Sequence, residues 1–161
     1  MPAPPSTLTD LILETFRLNG ELLTAGDDLV ADLNLTSARW QVLGAVAFSP
    51  AALPVAHVAR NMGLSRQSVQ RLVNEMAGAN LLRLAPNPHH KRARLVVMTA
   101  EGRAAFSAAM DRQRPWADSL AAGLAAKDIS TACRILATLR NRLQSQNDLQ
   151  PKARAHVEKH A

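Results

Sequence analysis

Gly63 stands between two short helical patterns, and this break constrains the fold more than any other feature of the sequence. The first pattern opens at Pro54, because proline is favoured at the start of a helix. The second is capped by Ser65 and runs to about Ala79. Two helices can touch at the small residue Ala59, and four residues later Gly63 tolerates a tight turn. The spacing predicts a helix-turn-helix.

Two short strand-like runs, 81–85 and 94–98, follow the second helix directly. Val96 and Val97 favour strand, and the segment 86–92 between the runs is rich in turn-forming and basic residues. The pattern predicts a β-hairpin with a long loop, placed where a wing would be. A solvated charged turn is the alternative.

The rest of the chain has helical spacing. One helix is predicted over about 7–33 and a second through 40–47, capped by Thr36 or Ser37. Thr99 caps a long helix with Pro115 in its interior, and a break at 127–130, with Asp128 as N-cap, precedes a last helix. The predicted fold is therefore mainly α. Because the terminal helices are so apolar, we expect them to pack against a second copy of the chain, although packing on their own chain is the alternative.

These patterns divide the chain into four predicted parts. They are an N-terminal dimerisation helix (1–35), a winged helix-turn-helix DNA-binding domain (36–99), C-terminal dimerisation helices (100–147) and a polar tail (148–161).

Positive charge is confined to the predicted winged unit. The segment from Pro54 to Thr99 holds seven basic residues and one acid, Glu75, so its net charge of +6 equals that of the whole chain. A basic surface confined to one motif favours nucleic acid as the partner. The alternative for a basic patch is a solvated face.

The second helix of the motif is predicted to read DNA. Val69, Leu72, Val73 and Met76 fall on its buried face, and the opposite face carries side chains suited to base edges and phosphates. Ser65 marks the helix N-terminus, where backbone N–H groups can meet a phosphate. In the hairpin loop, basic side chains would reach a narrow minor groove. The predicted DNA-binding residues are Ser65, Arg66, Gln67, Ser68, Gln70, Arg71, Asn74, His90, Lys91 and Arg92.

Other function classes lack support in the sequence. Cys133 is the single cysteine, which excludes an internal disulfide and fits a reducing cytoplasm. No secretory leader and no run of ~20 apolar residues is present, so no membrane partner is expected. His156 and His160 are spaced as a two-point metal site but lack further ligands, so neither metal nor cofactor is expected. No nucleophile–base arrangement or phosphate loop supports an enzyme.

The motifs, in their order, resemble the multiple-antibiotic-resistance regulator (MarR) family of bacterial transcription factors. The resemblance covers about residues 8–147 and rests on residues 35–43, 62–69, 87–93 and 95–99. It implies a homodimer joined by the first and the last two helices, with recognition helices in successive major grooves of a palindromic site and wings in the minor groove. It also allows an effector pocket lined by Trp40 and Trp116, although core packing is the alternative. The chain departs from the family at His90, where an acid usually braces the arginine two residues later.

The sequence therefore predicts a cytoplasmic, sequence-specific transcriptional regulator, a repressor relieved by a small-molecule effector or a covalent change. Cys133 is a candidate redox sensor, against an inert buried thiol. A non-specific architectural DNA-binding dimer and a protein-interaction module that reuses the winged fold are the alternatives.

Overall fold

The computed structural model describes residues 5–90 and 92–149. Lys91, His156 and His160 lie outside the described residues, as does most of the predicted polar tail. The chain divides into two units, residues 1–117 and residues 118–161. A single 3₁₀ turn, Ala31–Leu33, follows the first helix. The remaining elements are α1 Pro5–Val30, α2 Ser37–Ala47, β1 Leu53–Pro54, α3 Val55–Met62, α4 Arg66–Gly78, β2 Leu82–Ala85, β3 Leu95–Met98, α5 Ala100–Ala121 and α6 Ala126–Leu149.

The core of the first unit lies where α2, α3, α4 and the sheet meet. Apolar side chains from each of these elements are buried together, and α1 and α5 each add one at its edge. The buried side chains are Val30, Leu35, Val42, Leu43, Val55, Val58, Ala59, Val69, Val73, Met76, Leu82, Val96, Met98 and Ala109. Most are aliphatic, so the core is packed almost without aromatic rings.

The sheet has three antiparallel strands in the order β1-β3-β2. Leu53 pairs with Val96 on one side of β3, and Leu84 pairs with the same residue on the other. The predicted hairpin is confirmed as β2 and β3, but the sequence analysis did not predict β1. This strand is two residues long and contains Pro54, which lacks a backbone N–H and is therefore tolerated only at an edge.

Helix caps agree with the sequence at three of the predicted positions. The Thr36 side chain accepts a hydrogen bond from the Arg39 N–H, Ser65 Oγ accepts one from the Ser68 N–H, and Thr99 Oγ1 accepts one from the Gly102 N–H at 2.9 Å. Helix α5 continues through Pro115.

The predicted N-cap at Asp128 is wrong. Helix α5 ends before Gly123, whose φ of +80° is a left-handed conformation that glycine adopts without strain. Helix α6 begins at Ala126, so Asp128 lies inside its first turn, where a negative charge is favourable near the helix N-terminus. The break therefore falls at 122–125, earlier than predicted.

Candidate nucleic-acid interface

The turn between α3 and α4 is built by backbone hydrogen bonds around Gly63. Gly63 has a φ of +66°, and its N–H donates to the Arg60 carbonyl at 3.2 Å. The Leu64 N–H donates to the Ala59 carbonyl at 3.0 Å, and Ala59 is buried. The small side chain and the left-handed glycine set how α3 and α4 meet, which confirms the predicted motif.

Helix α4 presents two chemically different faces. Val69, Val73 and Met76 are fully buried, which anchors the helix to the core. The other face lines an open groove, and every side chain on it is polar: Arg66, Gln67, Gln70, Arg71, Asn74 and Glu75. Five of these six residues were predicted from the sequence, and the structure places them on one continuous surface.

Hydrogen bonds along this face hold some of the polar side chains in place. Gln70 Nε2 donates to Asn74 Oδ1 at 3.0 Å, and Arg71 Nε donates to Glu75 Oε1 at 3.0 Å. An Arg39 guanidinium nitrogen from α2 lies 3.9 Å from the other Glu75 oxygen. Arg71 makes this contact through Nε, and its side chain is 85% exposed.

Ser65 and Ser68 serve the start of α4. Their hydroxyl oxygens are 2.8 Å apart, and Ser65 Oγ accepts the Ser68 N–H at 3.1 Å. Both residues are exposed. Both hydroxyls already make hydrogen bonds within the helix. A phosphate that contacts them would therefore share them with the helix cap.

The loop of the wing is held by Asn87. Its Nδ2 donates to the Ala93 carbonyl at 2.9 Å, and its Oδ1 accepts the His89 N–H at 3.0 Å. Asn87 thus bridges both sides of the loop without needing an acid at position 90. His90 and Arg92 are exposed, and Lys91 lies outside the described residues.

Sequence reasoning missed three residues around this surface. Glu75 could have been found from its i, i+4 spacing to Arg71. Arg39 and Arg94 could not, since each acts across elements distant in sequence: Arg39 faces Glu75, and Arg94 donates to the Leu84 carbonyl across the hairpin.

Trp40 and Trp116 line one cavity of about 360 Å³ in the first unit. Among the described residues that line it, none is charged, and polar side chains come from Ser37, Gln41 and Gln113. Phe48 and Phe106 form another part of the wall, with ring centroids 5.8 Å apart in an edge-to-face arrangement. A cavity of this size and lining suits a small, uncharged aromatic molecule.

Arg112 ties α5 to the end of α1. Its guanidinium donates to both carboxylate oxygens of Asp32, at 2.7 Å for the second contact, and to the Leu29 carbonyl at 3.2 Å. The hydrogen bonds from Arg112, followed by its charge, hold the pKa of Asp32 below its ordinary value although partial desolvation opposes them. The contact joins α5 to the end of α1 four residues before Trp116.

The sequence also raised the questions of a metal site, the position of Cys133 and a membrane-spanning helix. Within residues 5–90 and 92–149, no three His, Cys, Asp or Glu side chains come close enough to share a metal ion. Cys133 is exposed on α6 in the single chain. No helix in the described part of the chain has the length and apolar character needed to cross a membrane.

Comparisons with known proteins agree with this architecture. A sequence model of the MarR family matches residues 33–93. An uncharacterised protein of Mycobacterium tuberculosis (strain ATCC 25618 / H37Rv) is 38% identical over 102 residues, 63% of this chain and 70% of that protein. The transcriptional activatory protein BadR of Rhodopseudomonas palustris is 30% identical over 95 residues, 58% of this chain and 54% of BadR.

The fold is also that of solved structures. The M. tuberculosis transcriptional regulator MosR, in complex with DNA, aligns with a TM-score of 0.70 and 21% identity over 83% of this chain and 96% of that chain. At this identity the likeness establishes the fold, which is a winged helix.

Proposed function

This DNA-binding transcriptional regulator belongs to the MarR family, and on that basis we propose that it binds a palindromic DNA site as a homodimer and releases it when a small aromatic molecule binds. The observation that carries the proposal is the polar face of α4. It is continuous, it lies in the segment that holds the chain's entire positive excess, and its side chains match base edges.

The exposed apolar side chains of α1 and α6 support the dimer. Leu8, Ile12, Phe16 and Leu23 recur at helical spacing on α1, and Phe16 is 70% exposed. On α6, Ile129, Ile135, Leu136 and Leu143 are exposed as well. Apolar surface of this extent on a single chain marks an association site, and two copies related by a twofold axis would present two equal α4 faces to DNA.

The direction of regulation that we propose is repression. A dimer seated in two successive major grooves excludes other proteins from the same stretch of DNA. The relative BadR carries the name of an activatory protein, so a transcription reporter with and without this chain is needed. Reduced reporter output in the presence of the chain supports repression, and increased output assigns activation.

Gln67 and Arg71 are expected to set the preferred sequence. Selection from a random DNA pool should enrich one inverted repeat, bound ~10³-fold or more above random DNA. Gln67→Ala and Arg71→Ala should each relax the preference at one position of every half-site, since a bidentate base contact contributes ~1–3 kcal/mol. Arg92→Ala should weaken binding to all sequences alike. Arg114→Ala, which removes a charge from α5, is the control.

Two results would count against this assignment. If Gln67→Ala and Arg71→Ala select the wild-type sequence with wild-type affinity, α4 does not read the bases. If the wild-type protein binds random and selected DNA equally, the chain is an architectural DNA-binding protein and not a sequence-specific regulator.

The cavity beside Trp40 and Trp116 is the proposed effector site. The chain has two tryptophans and no tyrosine, and both tryptophans line this cavity, so its intrinsic fluorescence reports on the site alone. Titration with benzamide as an uncharged aromatic probe should change the emission saturably, and benzoate, its charged analogue, should act more weakly because none of the described wall residues is a cation. Gln113→Leu should shift the affinity. Equal, non-saturable quenching by both probes would rule out the site.

A further inference from the structure

A cavity of about 190 Å³ lies between the start of α3, the first turn of α4 and the base of the wing. Three arginine side chains line it: Arg66 from α4, and Arg92 and Arg94 from the end of the wing loop. None of the described residues that line it carries a carboxylate. The volume is several times the ~30 Å³ that one water molecule occupies in the liquid, so a tetrahedral anion fits.

The charges in this cavity are not neutralised by the chain itself. Among residues 5–90 and 92–149, Arg66 and Arg92 make no ion pair. Arg94 donates one guanidinium nitrogen to the Leu84 carbonyl, which anchors its side chain to β2 and leaves its other donors available. Guanidinium groups stay charged at any physiological pH, so three of them in one cavity repel one another until an anion enters.

The start of α3 adds to the same field. Val55 and Ala56 line the cavity, and the N-cap residue, Pro54, gives no side-chain hydrogen bond to the first turn of the helix. Uncapped N–H groups at a helix start carry a partial positive charge and donate readily to an anion. The arginines define the site, and this helix end supports it.

We propose that this cavity binds one phosphate group, and that in the DNA complex this group is a single backbone phosphodiester held jointly by α4 and the wing. The proposal rests on the proposed DNA-binding function and goes beyond it by assigning a built site and a third wing residue, Arg94. Arginine binds phosphate through two parallel N–H donors, which a lysine cannot supply. Because Arg66 begins the recognition helix and Arg92 ends the loop, one phosphate would link the major-groove and minor-groove contacts.

The first test compares Arg94→Ala with wild type on the selected DNA over a range of salt concentrations. Affinity should fall about 10-fold or more, since a charge-assisted hydrogen bond is lost in each half-site. The slope of log affinity against log salt should become shallower by at most about 1.8, the value for complete loss of two phosphate contacts at ~0.9 each, because Arg66 and Arg92 remain at each phosphate. Arg94→Lys should recover the slope but only part of the affinity. Arg114→Ala should change neither quantity.

A second test separates the phosphate contact from a shifted wing. Duplexes with one neutral methylphosphonate linkage at each successive position are titrated against both proteins. One position per half-site should weaken wild type by more than Arg94→Ala alone does, because all three arginines lose their partner there, and should weaken Arg94→Ala by less than it weakens wild type. Additive losses at every position would overturn the proposal.

The remaining outcomes distinguish a DNA phosphate from a free phosphate. They also distinguish failure of the phosphate site from failure of the proposed DNA-binding function. If inorganic phosphate at millimolar concentration, without DNA, raises the melting temperature of wild type but not of Arg94→Ala, and Arg94→Ala still binds DNA as wild type does, the site serves a free phosphorylated molecule and the DNA assignment is wrong. If wild type binds no DNA at low salt, the proposed function fails. If wild type binds DNA, Arg94→Ala binds it equally with the same salt slope, and phosphate stabilises neither protein, the phosphate site alone fails.

Discussion

Gly102→Ala is expected to lower the free energy of unfolding by about 3 kcal/mol or more, although alanine is the better helix former. Gly102 lies in the first turn of α5, and a methyl group there would overlap the backbone carbonyl oxygen of Leu81. It would also lie 2.9 Å from Met98 Cγ. The gain in helix propensity, ~1 kcal/mol, is smaller than the cost of moving a backbone segment.

The Leu81 carbonyl has no room to move without further loss. It accepts hydrogen bonds from the Thr99 N–H at 3.2 Å and from Thr99 Oγ1 at 3.0 Å. The same threonine hydroxyl caps α5, so a displaced Leu81 would disturb the start of both β2 and α5. Domains of this kind are stable by ~5–15 kcal/mol, and a loss of this size removes a large part of that margin.

Urea denaturation followed by helical circular dichroism measures this effect. Gly78→Ala is the matched control, since no neighbouring atom lies within 4 Å of the added methyl group and the backbone is helical. It should leave stability unchanged or raise it by up to ~1 kcal/mol. Equal midpoints for Gly102→Ala and wild type would show that the contact between α5 and Leu81 is looser than the structure indicates.

Local chemistry explains which parts of the fold could be predicted. The turn at Gly63 and the helix caps at Ser65 and Thr99 each form within four residues, and the sequence alone identified all three. The break before α6 was predicted too late because Asp128 is a strong N-cap candidate by residue type. The break instead contains Gly123, whose left-handed conformation follows the end of α5.

The contacts that could not be predicted join elements far apart in sequence. Strand β1 exists because Leu53 meets Val96 across more than 40 positions, and nothing within two residues could indicate that pairing. The α4 face was predicted because its residues share one helix. The arginine cavity was not, because Arg66 and Arg94 come together only when the wing folds beside α4. Residues that share one face of a helix can be predicted from their spacing in the sequence. Contacts between elements that are distant in sequence cannot be predicted in this way.

Phe16→Glu is expected to dissociate the proposed homodimer and, with it, tight DNA binding. Phe16 is 70% exposed in the single chain and lies in the middle of the α1 stripe that also contains Ile12 and Leu23. Burying a phenylalanine contributes ~1.5–3 kcal/mol, and a twofold interface loses this contribution twice. The dissociation constant should therefore rise by about 10³-fold, with the buried carboxylate adding to the loss.

Sedimentation analysis and DNA titration report the two consequences separately. A monomer keeps its α4 face and its wing but occupies one half-site at a time, so it loses the ~10²–10⁴-fold gain that comes from linking two binding units. Phe16→Glu should accordingly bind a duplex with one half-site as wild-type monomer does, and should no longer prefer the full palindrome. Retained half-site binding would distinguish dissociation from unfolding.

Arg17→Glu provides the control on the next residue of the same helix. It changes the charge by two units, more than Phe16→Glu does, but Arg17 is not one of the apolar stripe residues and its pairing with Glu14 is exposed. An exposed pair contributes at most ~1 kcal/mol, so the dimer should persist. Phe16→Glu changes the charge less than Arg17→Glu does, yet it is predicted to weaken the dimer more. The comparison therefore separates the contribution of apolar burial to dimer stability from that of charge. A Phe16→Glu protein that sediments as a dimer would place the interface on a surface other than α1.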